Sequence, residues 1–396
     1  MKATLNPYNP GAGVPPPELA GRDELIESAE VAVARAKAGR PAKSAIMLGL
    51  RGVGKTVLLN AFEAIAEDNG CQTALLEIDP DKSLAQQLAP KLHHILHRLD
   101  RMKKAGADLQ KAFGTLTSFA SMFKASVGDI DFSLAGPPAT GDLAIDLTDL
   151  LVAIADAAKK RETAVVLLID EIQYVQKGDL SALIMAIHKI SQRQMPLLLF
   201  GAGLPQLAKL AGDAKSYAER LFDYPPIGPL SAAGARLALA GPAEREGVRY
   251  EDAALDYVVE ETGRYPFFLQ VWGAHCWEAA VKSPITLADA KKASSTATAA
   301  LDEGIFKVRL ARLTERQKAY AHAMATFGPE PVNSSDVAKA LNLSLSQAAP
   351  IRDELIKKGM AYSPERGLIG FTVPKFDDYL RRIAPRARAG RKPAKT

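Results

Sequence analysis

Gly49-Leu50-Arg51-Gly52-Val53-Gly54-Lys55-Thr56 decides how this chain is read. It fits G-x-x-x-x-G-K-[ST], the phosphate-binding P-loop. Residues 44–48 ahead of it form a short apolar run, read as a buried strand, and residues 57–62 behind it open a helical pattern. The chemistry requires that order. Glycines let backbone N–H groups wrap phosphates without Cβ clashes, and a helix N-terminus offers its free N–H groups and dipole to the anion. Lys55 is placed to reach the β- and γ-phosphates of ATP, and the Thr56 hydroxyl to ligate Mg2+. Gly49, Arg51, Gly52, Val53, Gly54 and Val57 complete the predicted nucleotide contacts.

The partner motif lies downstream. Ala164-Val165-Val166-Leu167-Leu168-Ile169 is a near-continuous apolar run, as a central parallel strand should be, and it ends in Asp170-Glu171. That is the form of a Walker B strand, with its acidic pair at the edge where ligands sit in open α/β sheets. Asp170 is assigned to Mg2+ through water and Glu171 to polarising the attacking water. A Gly-rich turn beside an ordinary buried strand is the bland alternative, and the presence of both halves argues against it.

Composition sets the surroundings. The 396 residues suffice for two or three domains, and 47% hydrophobic with 24% charged content is that of an ordinary globular protein. No stretch approaches a membrane span, and no signal-peptide pattern opens the chain. The two cysteines, Cys71 and Cys276, lie far apart in partly apolar segments and are read as buried thiols in a reducing cytoplasm. The formal net charge is +5, and residues 375–396 alone carry eight Lys/Arg against Asp377 and Asp378, so the basic excess is a tail. Such a tail either contacts nucleic-acid phosphates or is a solvated end.

The organisation read outward from the motifs is an α/β P-loop NTPase domain over 21–228, a parallel sheet with helices on both faces. An extended Pro/Gly-rich lead-in occupies 1–20. A strand is predicted over 71–79 and a helix over 82–103. His93 and His97 on that helix share a face, but no third ligand is evident, so no metal site is assigned. Asp170 follows Lys55 by 115 positions, a long separation attributed to an irregular insertion over 104–142 with a short strand pair near 127–134. A helical lid and linker span 229–310, with helices near 231–246, 251–262 and 265–282 and with Trp272 and Trp277 in the lid core. Over 311–382, three helices and a hairpin follow in winged helix-turn-helix order, with Val337, Ala338, Leu341, Leu343, Ile351, Leu355 and Ile356 as core. Ser346, Gln347, Arg352, Lys357 and Arg366 are its candidate DNA contacts, although Asp353 and Glu354 share the helix and a protein-docking role is the alternative. Residues 383–396 close the chain as the basic tail.

With these motifs quoted, the chain resembles a bacterial or archaeal AAA-type ATPase of the initiator-like, STAND-related branch. Gly21-Arg22-Asp23 resembles the box that lies beside the adenine, which adds Arg22 to the nucleotide contacts. Ser216-Tyr217-Ala218-Glu219-Arg220 resembles the box whose arginine reaches a neighbouring subunit's nucleotide, which makes Arg220 a catalytic candidate in an oligomer; a surface arginine paired with Glu219 or Asp223 is the alternative. Gly263-Arg264-Tyr265-Pro266 resembles a STAND lid-helix start, which brings Pro266 to the nucleotide. The strand ending in Gly201-Ala202-Gly203 departs from the family, because it offers no polar sensor side chain. The resemblance implies an ATP- and Mg2+-dependent switch, homo-oligomeric and acting on DNA. A signalling or scaffold ATPase that recruits a protein effector is the second class, and a small-molecule kinase fits the Asp-Glu pair less well.

Overall fold

The computed structural model describes residues 1–11, 13–102, 106–127 and 136–384. The chain forms two compact units, Met1–Ala290 and Lys291–Thr396.

In the first unit, α1 (Asp23–Lys37), β1 (Ser44–Leu48), α2 (Lys55–Asp68), β2 (Gln72–Glu77) and α3 (Leu84–Met102) come first. Then follow α4 (Ala107–Met122), α5 (Leu143–Lys159), β3 (Val165–Asp170), α6 (Lys177–Gln192) and β4 (Leu197–Gly203). The short α7 (Leu207–Ala214), α8 (Ala218–Leu221) and β5 (Phe222–Asp223) complete a five-stranded sheet of order β2-β3-β4-β1-β5, parallel throughout. All six residues of β3 are buried, which is why it reads as a continuous apolar run. Val165, Leu167 and Ile169 pack with α3 to α6, whereas Val166 and Leu168 pack with α1 and α2. The period-2 alternation of a strand thus serves two apolar layers at once.

Among its described residues, the insertion expected to be irregular contains a helix, α4. Leu109, Ala112, Leu116, Phe119 and Ala120 recur at helical spacing and are buried. Gly114 and the hydroxyl residues Thr115, Thr117 and Ser118 weaken helix propensity and hid that pattern, and burial of the apolar face overrides them. Arg161 fastens the helix: its guanidinium donates to Leu99 O at 2.8 Å and pairs with Asp108 at 2.7 Å. Most of the strand pair expected near 127–134 falls outside the described residues.

Three helices follow the sheet: α9 (Ala232–Arg245), capped by Ser231, α10 (Asp252–Glu261) and α11 (Pro266–Ala279). Trp272 and Trp277 are buried at its heart. The lead-in is strapped over these helices. The Tyr8 hydroxyl donates to the Leu239 carbonyl and the Trp277 indole donates to Lys2 O at 3.0 Å. Both cysteines are free and buried, and burial pushes the Cys276 thiol up to about 12. Among the described residues no helix is long and apolar enough to cross a membrane.

At Gly49 the end of β1 meets the segment entering the lid. Ile227 N–H donates to Leu48 O at 2.6 Å, and a Cβ on Gly49 would lie 2.2 Å from Ile227 O and 2.9 Å from Val53 Cγ2. Gly49→Ala is therefore expected to destabilise the first unit by about 2–3 kcal/mol, read as a lower denaturant midpoint. A wild-type midpoint would contradict the packing described.

Across the unit boundary runs α12 (Leu287–Leu301), followed by a π-turn and α13 (Lys307–Ala311). The second unit then continues with α14 (Glu315–Ala325), β6 (Val332–Asn333), α15 (Ser334–Ala340), α16 (Leu345–Lys357), β7 (Ala361–Tyr362), β8 (Leu368–Phe371) and α17 (Phe376–Ile383). Thr314 with Gln317 and Ser344 with Gln347 form capping boxes at α14 and α16. The small sheet is antiparallel, of order β6-β8-β7. Val337, Ala338 and Leu355 are buried, whereas Leu341, Leu343, Ile351 and Ile356 are half-buried. The heart of this core is instead aromatic: Phe306, Phe371, Phe376 and Tyr379 pack ring on ring.

The aromatic cluster explains α17. Phe376, Tyr379 and Leu380 are its buried stripe. Two of the cations counted with the tail lie on it and are paired, Arg381 with Asp377 at 2.8 Å and Arg382 with Asp302 at 2.5 Å. Residues 376–383 are therefore helical, and the charges of Arg381 and Arg382 are neutralised in place.

Candidate nucleotide site

The P-loop leaves β1, and Asp170 ends β3, with β4 between them. Register aligns Leu48 with Gly203 and Ile169 with Gly201, so both loops emerge at one edge of the sheet. The loop turns into α2 through Gly52 and Gly54, at φ 83° and 92°, which a side chain would strain. Val53 is buried in the apolar layer beneath, which anchors the turn.

Lys55 is buried, and its ammonium donates to Gly49 O and Leu50 O, each at 2.9 Å. Burial lowers its pKa, opposed by the nearby Glu171 and Asp170 carboxylates. The Thr56 hydroxyl donates to Asp170 Oδ2 at 2.5 Å. A hydroxyl from the first turn of α2 and a carboxylate from the end of β3 are hard oxygen donors of the kind Mg2+ takes, so these residues fit that ion.

Glu171 departs from the strand with φ 55° and ψ 37°, a left-handed conformation uncommon outside glycine. The turn it makes carries its carboxylate back across the mouth of the site. Arg51 Nη2 lies 3.2 Å from Glu171 Oε1 and 3.1 Å from the Tyr174 hydroxyl. The Gln173 amide donates to Glu171 Oε2. Lys55, Thr56, Asp170, Glu171 and Arg51 are thus brought into one cluster.

Two more of the expected residues border the cluster. Arg22 is largely desolvated, which lowers its pKa, and donates to Gly228 O at 2.6 Å and Val53 O at 3.3 Å. It ties the loop to the entry of the lid. Pro266 starts α11, where its missing N–H costs nothing. The next residue, Phe267, donates its backbone N–H to Gly52 O at 3.2 Å, so α11 touches the loop at Pro266's own turn. Val57, half-buried, lies in the first turn of α2.

Arg220 is not part of this cluster. α8 precedes β5, whose Phe222 is level with Ser44 at the start of β1. The P-loop leaves the other end, and β1 alone spans about 13 Å. Arg220 is exposed beside Lys43, His188 and Tyr217. Asp223, one of its two candidate partners, is held by Lys43 at 2.5 Å. His93 and His97 lie together on α3. The two rings share a hydrogen bond at 3.0 Å, and among the described residues no group of three or more potential ligands occurs.

On the second unit, Lys357 and Arg366 are exposed. Arg352 pairs with Asp353 at 2.8 Å. The Gln347 side chain accepts from Ser344 N–H at 2.9 Å as part of the cap, and the Ser346 hydroxyl meets that of Ser344 at 2.9 Å. Sequence reasoning missed Gln173, Tyr174 and Phe267. A glutamine three places after the Walker B aspartate, in an otherwise apolar turn, was the available signal for the first.

Residues 18–200 match the AAA ATPase domain family, and residues 303–380 match a domain family of unknown function. No curated protein matches the chain. Among solved structures, the Walker-type ATPase PABY2304 of Pyrococcus abyssi superposes with a TM-score of 0.54 at 17% identity, covering 92% of this chain and 96% of that one. The RuvB Holliday junction branch migration motor of Thermotoga maritima gives 0.46 at 16% identity, over 95% of this chain and 98% of that one. The Orc1 protein of Aeropyrum pernix, solved in complex with DNA, gives 0.46 at 14% identity, over 93% and 94%. The last two scores are too low to carry an argument, and the first speaks for the fold. The AAA match runs through β1, β2 and β3, the strands that assemble the phosphate loop and its acidic partner. Residues 18–200 thus match an AAA-type ATPase domain, and the five-stranded parallel sheet around them is a P-loop fold.

Proposed function

We propose that the chain is a cytoplasmic ATP-hydrolysing switch that works as a homo-oligomer and couples its nucleotide state to DNA. The observation that carries the reading is the meeting of Lys55 and Thr56 with Asp170 and Glu171 at one sheet edge. Lys55 and the loop N–H groups would hold the β- and γ-phosphates, Arg22 and Pro266 would border the base, and Thr56 and Asp170 would hold Mg2+, which offsets phosphate charge when bound. Glu171 would accept a proton from a water attacking the γ-phosphorus as the bond to the ADP oxygen breaks. Gain and loss of the γ-phosphate is the lever, and the Phe267 contact with Gly52 supports a lid that senses it.

Arg220 is read as acting on a neighbour's nucleotide, since its own lies at the opposite edge of the sheet. Arg220→Ala is expected to leave ATP affinity within about twofold while lowering turnover roughly 10³-fold at protein concentrations that favour assembly. Wild-type turnover in that variant would remove Arg220 from its role.

The second unit is read as a winged helix. Support comes from the run of α14, α15 and α16 followed by the β7–β8 hairpin, with β6 closing the sheet. Lys357, Arg366 and the basic tail are its expected phosphate contacts. A second reading, recruitment of a protein effector, gains from the pairing of Arg352 and the capping duty of Gln347. Steady-state hydrolysis with and without duplex DNA, at two salt concentrations, separates them. Stimulation that fades with salt supports the first. Turnover indifferent to DNA supports the second.

A further inference from the structure

β4 ends beside the reacting edge of the site without one polar side chain, and the structure gives the reason. A Cβ on Gly201 would lie 2.4 Å from Ile172 Cδ1, and a Cβ on Gly203 would lie 2.6 Å from Gln173 Oε1 and 2.6 Å from Leu207 Cδ2. The space that side chains of β4 would fill is taken by two consecutive residues of the turn after Glu171 and, at Gly203, also by Leu207. Gln173 uses both ends of its amide there. Its oxygen accepts from Leu204 N–H at 3.1 Å, just past β4, and its NH2 donates to Glu171 Oε2. The left-handed conformation of Glu171 is what folds the turn back so that these groups meet.

We infer that Gln173 is the positioning residue for Glu171, supplying from the turn the polar contact that β4 lacks. The inference rests on the hydrolysis reading above. Glu171 has two tethers, Arg51 on Oε1 and Gln173 on Oε2. Arg51 belongs to the phosphate loop, and a bound polyphosphate competes for its charge. The amide of Gln173 is neutral and anchored to the backbone of Leu204, so it keeps its hold when phosphate arrives. A neutral donor also fixes the carboxylate without neutralising it, which a base for water activation requires. Any movement of the β4 end would then reach Glu171 through one side chain.

The test uses the full chain and reads kcat and KM for ATP together with ATP affinity by calorimetry. Gln173→Ala is expected to lower kcat roughly 10- to 100-fold with KM and affinity within about twofold. Gln173→Glu keeps the shape and the acceptor for Leu204 but replaces the donor with a carboxylate, so it controls for folding. Its kcat should fall equally, with KM and affinity again within about twofold. The inference is overturned if both single variants turn over as wild type, or if kcat and affinity fall together. A wild-type chain that binds ATP without hydrolysing it overturns the hydrolysis reading and this inference with it; wild-type turnover that the single variants leave intact overturns this inference alone.

Discussion

Lys55→Ala weakens ATP binding by at least about 100-fold. The ammonium is held by the carbonyls of Gly49 and Leu50, inside the loop that would enclose the phosphates. A hydrogen bond to a charged group contributes about 1.5–3 kcal/mol, and two such contacts to phosphate exceed the roughly 2.8 kcal/mol that a hundredfold represents. Calorimetry with Mg·ATP checks it, and unchanged affinity would sink the assignment of the loop. The same residue sets a pH dependence. Burial lowers the Lys55 pKa below its ordinary 10.5, whereas bound phosphates favour the protonated form and raise it. Affinity is therefore full below the lowered free-state pKa and falls as pH rises from there to the bound-state value. That fall begins at a lower pH than an exposed lysine would give, and Lys55→Ala removes it.

Glu171→Gln keeps ATP affinity within a few-fold and lowers turnover by about 10²-fold or more, the scale expected when a general base is lost. The substitution preserves shape and the Gln173 neighbourhood but removes the negative charge that pairs with Arg51 at 3.2 Å. Phosphate release from Mg·ATP at saturating nucleotide measures it. Release at the wild-type rate would take Glu171 out of the chemistry and leave a nucleotide-bound switch.

The site was legible where function is written into adjacent residues. Gly49 to Thr56 and Asp170-Glu171 are contiguous, and each motif ends a strand whose apolar run is visible. The parts that were not legible depend on contacts across the chain. α4 was hidden because Gly114 and its hydroxyl neighbours lower helix propensity, and only burial of Leu109, Leu116 and Phe119 under α3 and α5 settles it. The missing sensor on β4 looked like a deficit. The sequence holds both Gly203 and Gln173 but not their proximity, which depends on the backward turn at Glu171. α17 was masked by its charges, since Arg381 and Arg382 count as tail until their pairing with Asp377 and Asp302 is seen. Arg220 was singled out by position in the chain, and the fold adds that β5 beside it pairs with the end of β1 opposite the phosphate loop.

The most direct measurement of the central claim is phosphate release from ATP by the wild-type full-length chain, with Mg2+ and after its chelation. The account predicts saturable, Mg2+-dependent release that Lys55→Ala and Glu171→Gln each remove. Stoichiometric ATP binding with no release at any protein concentration would contradict it.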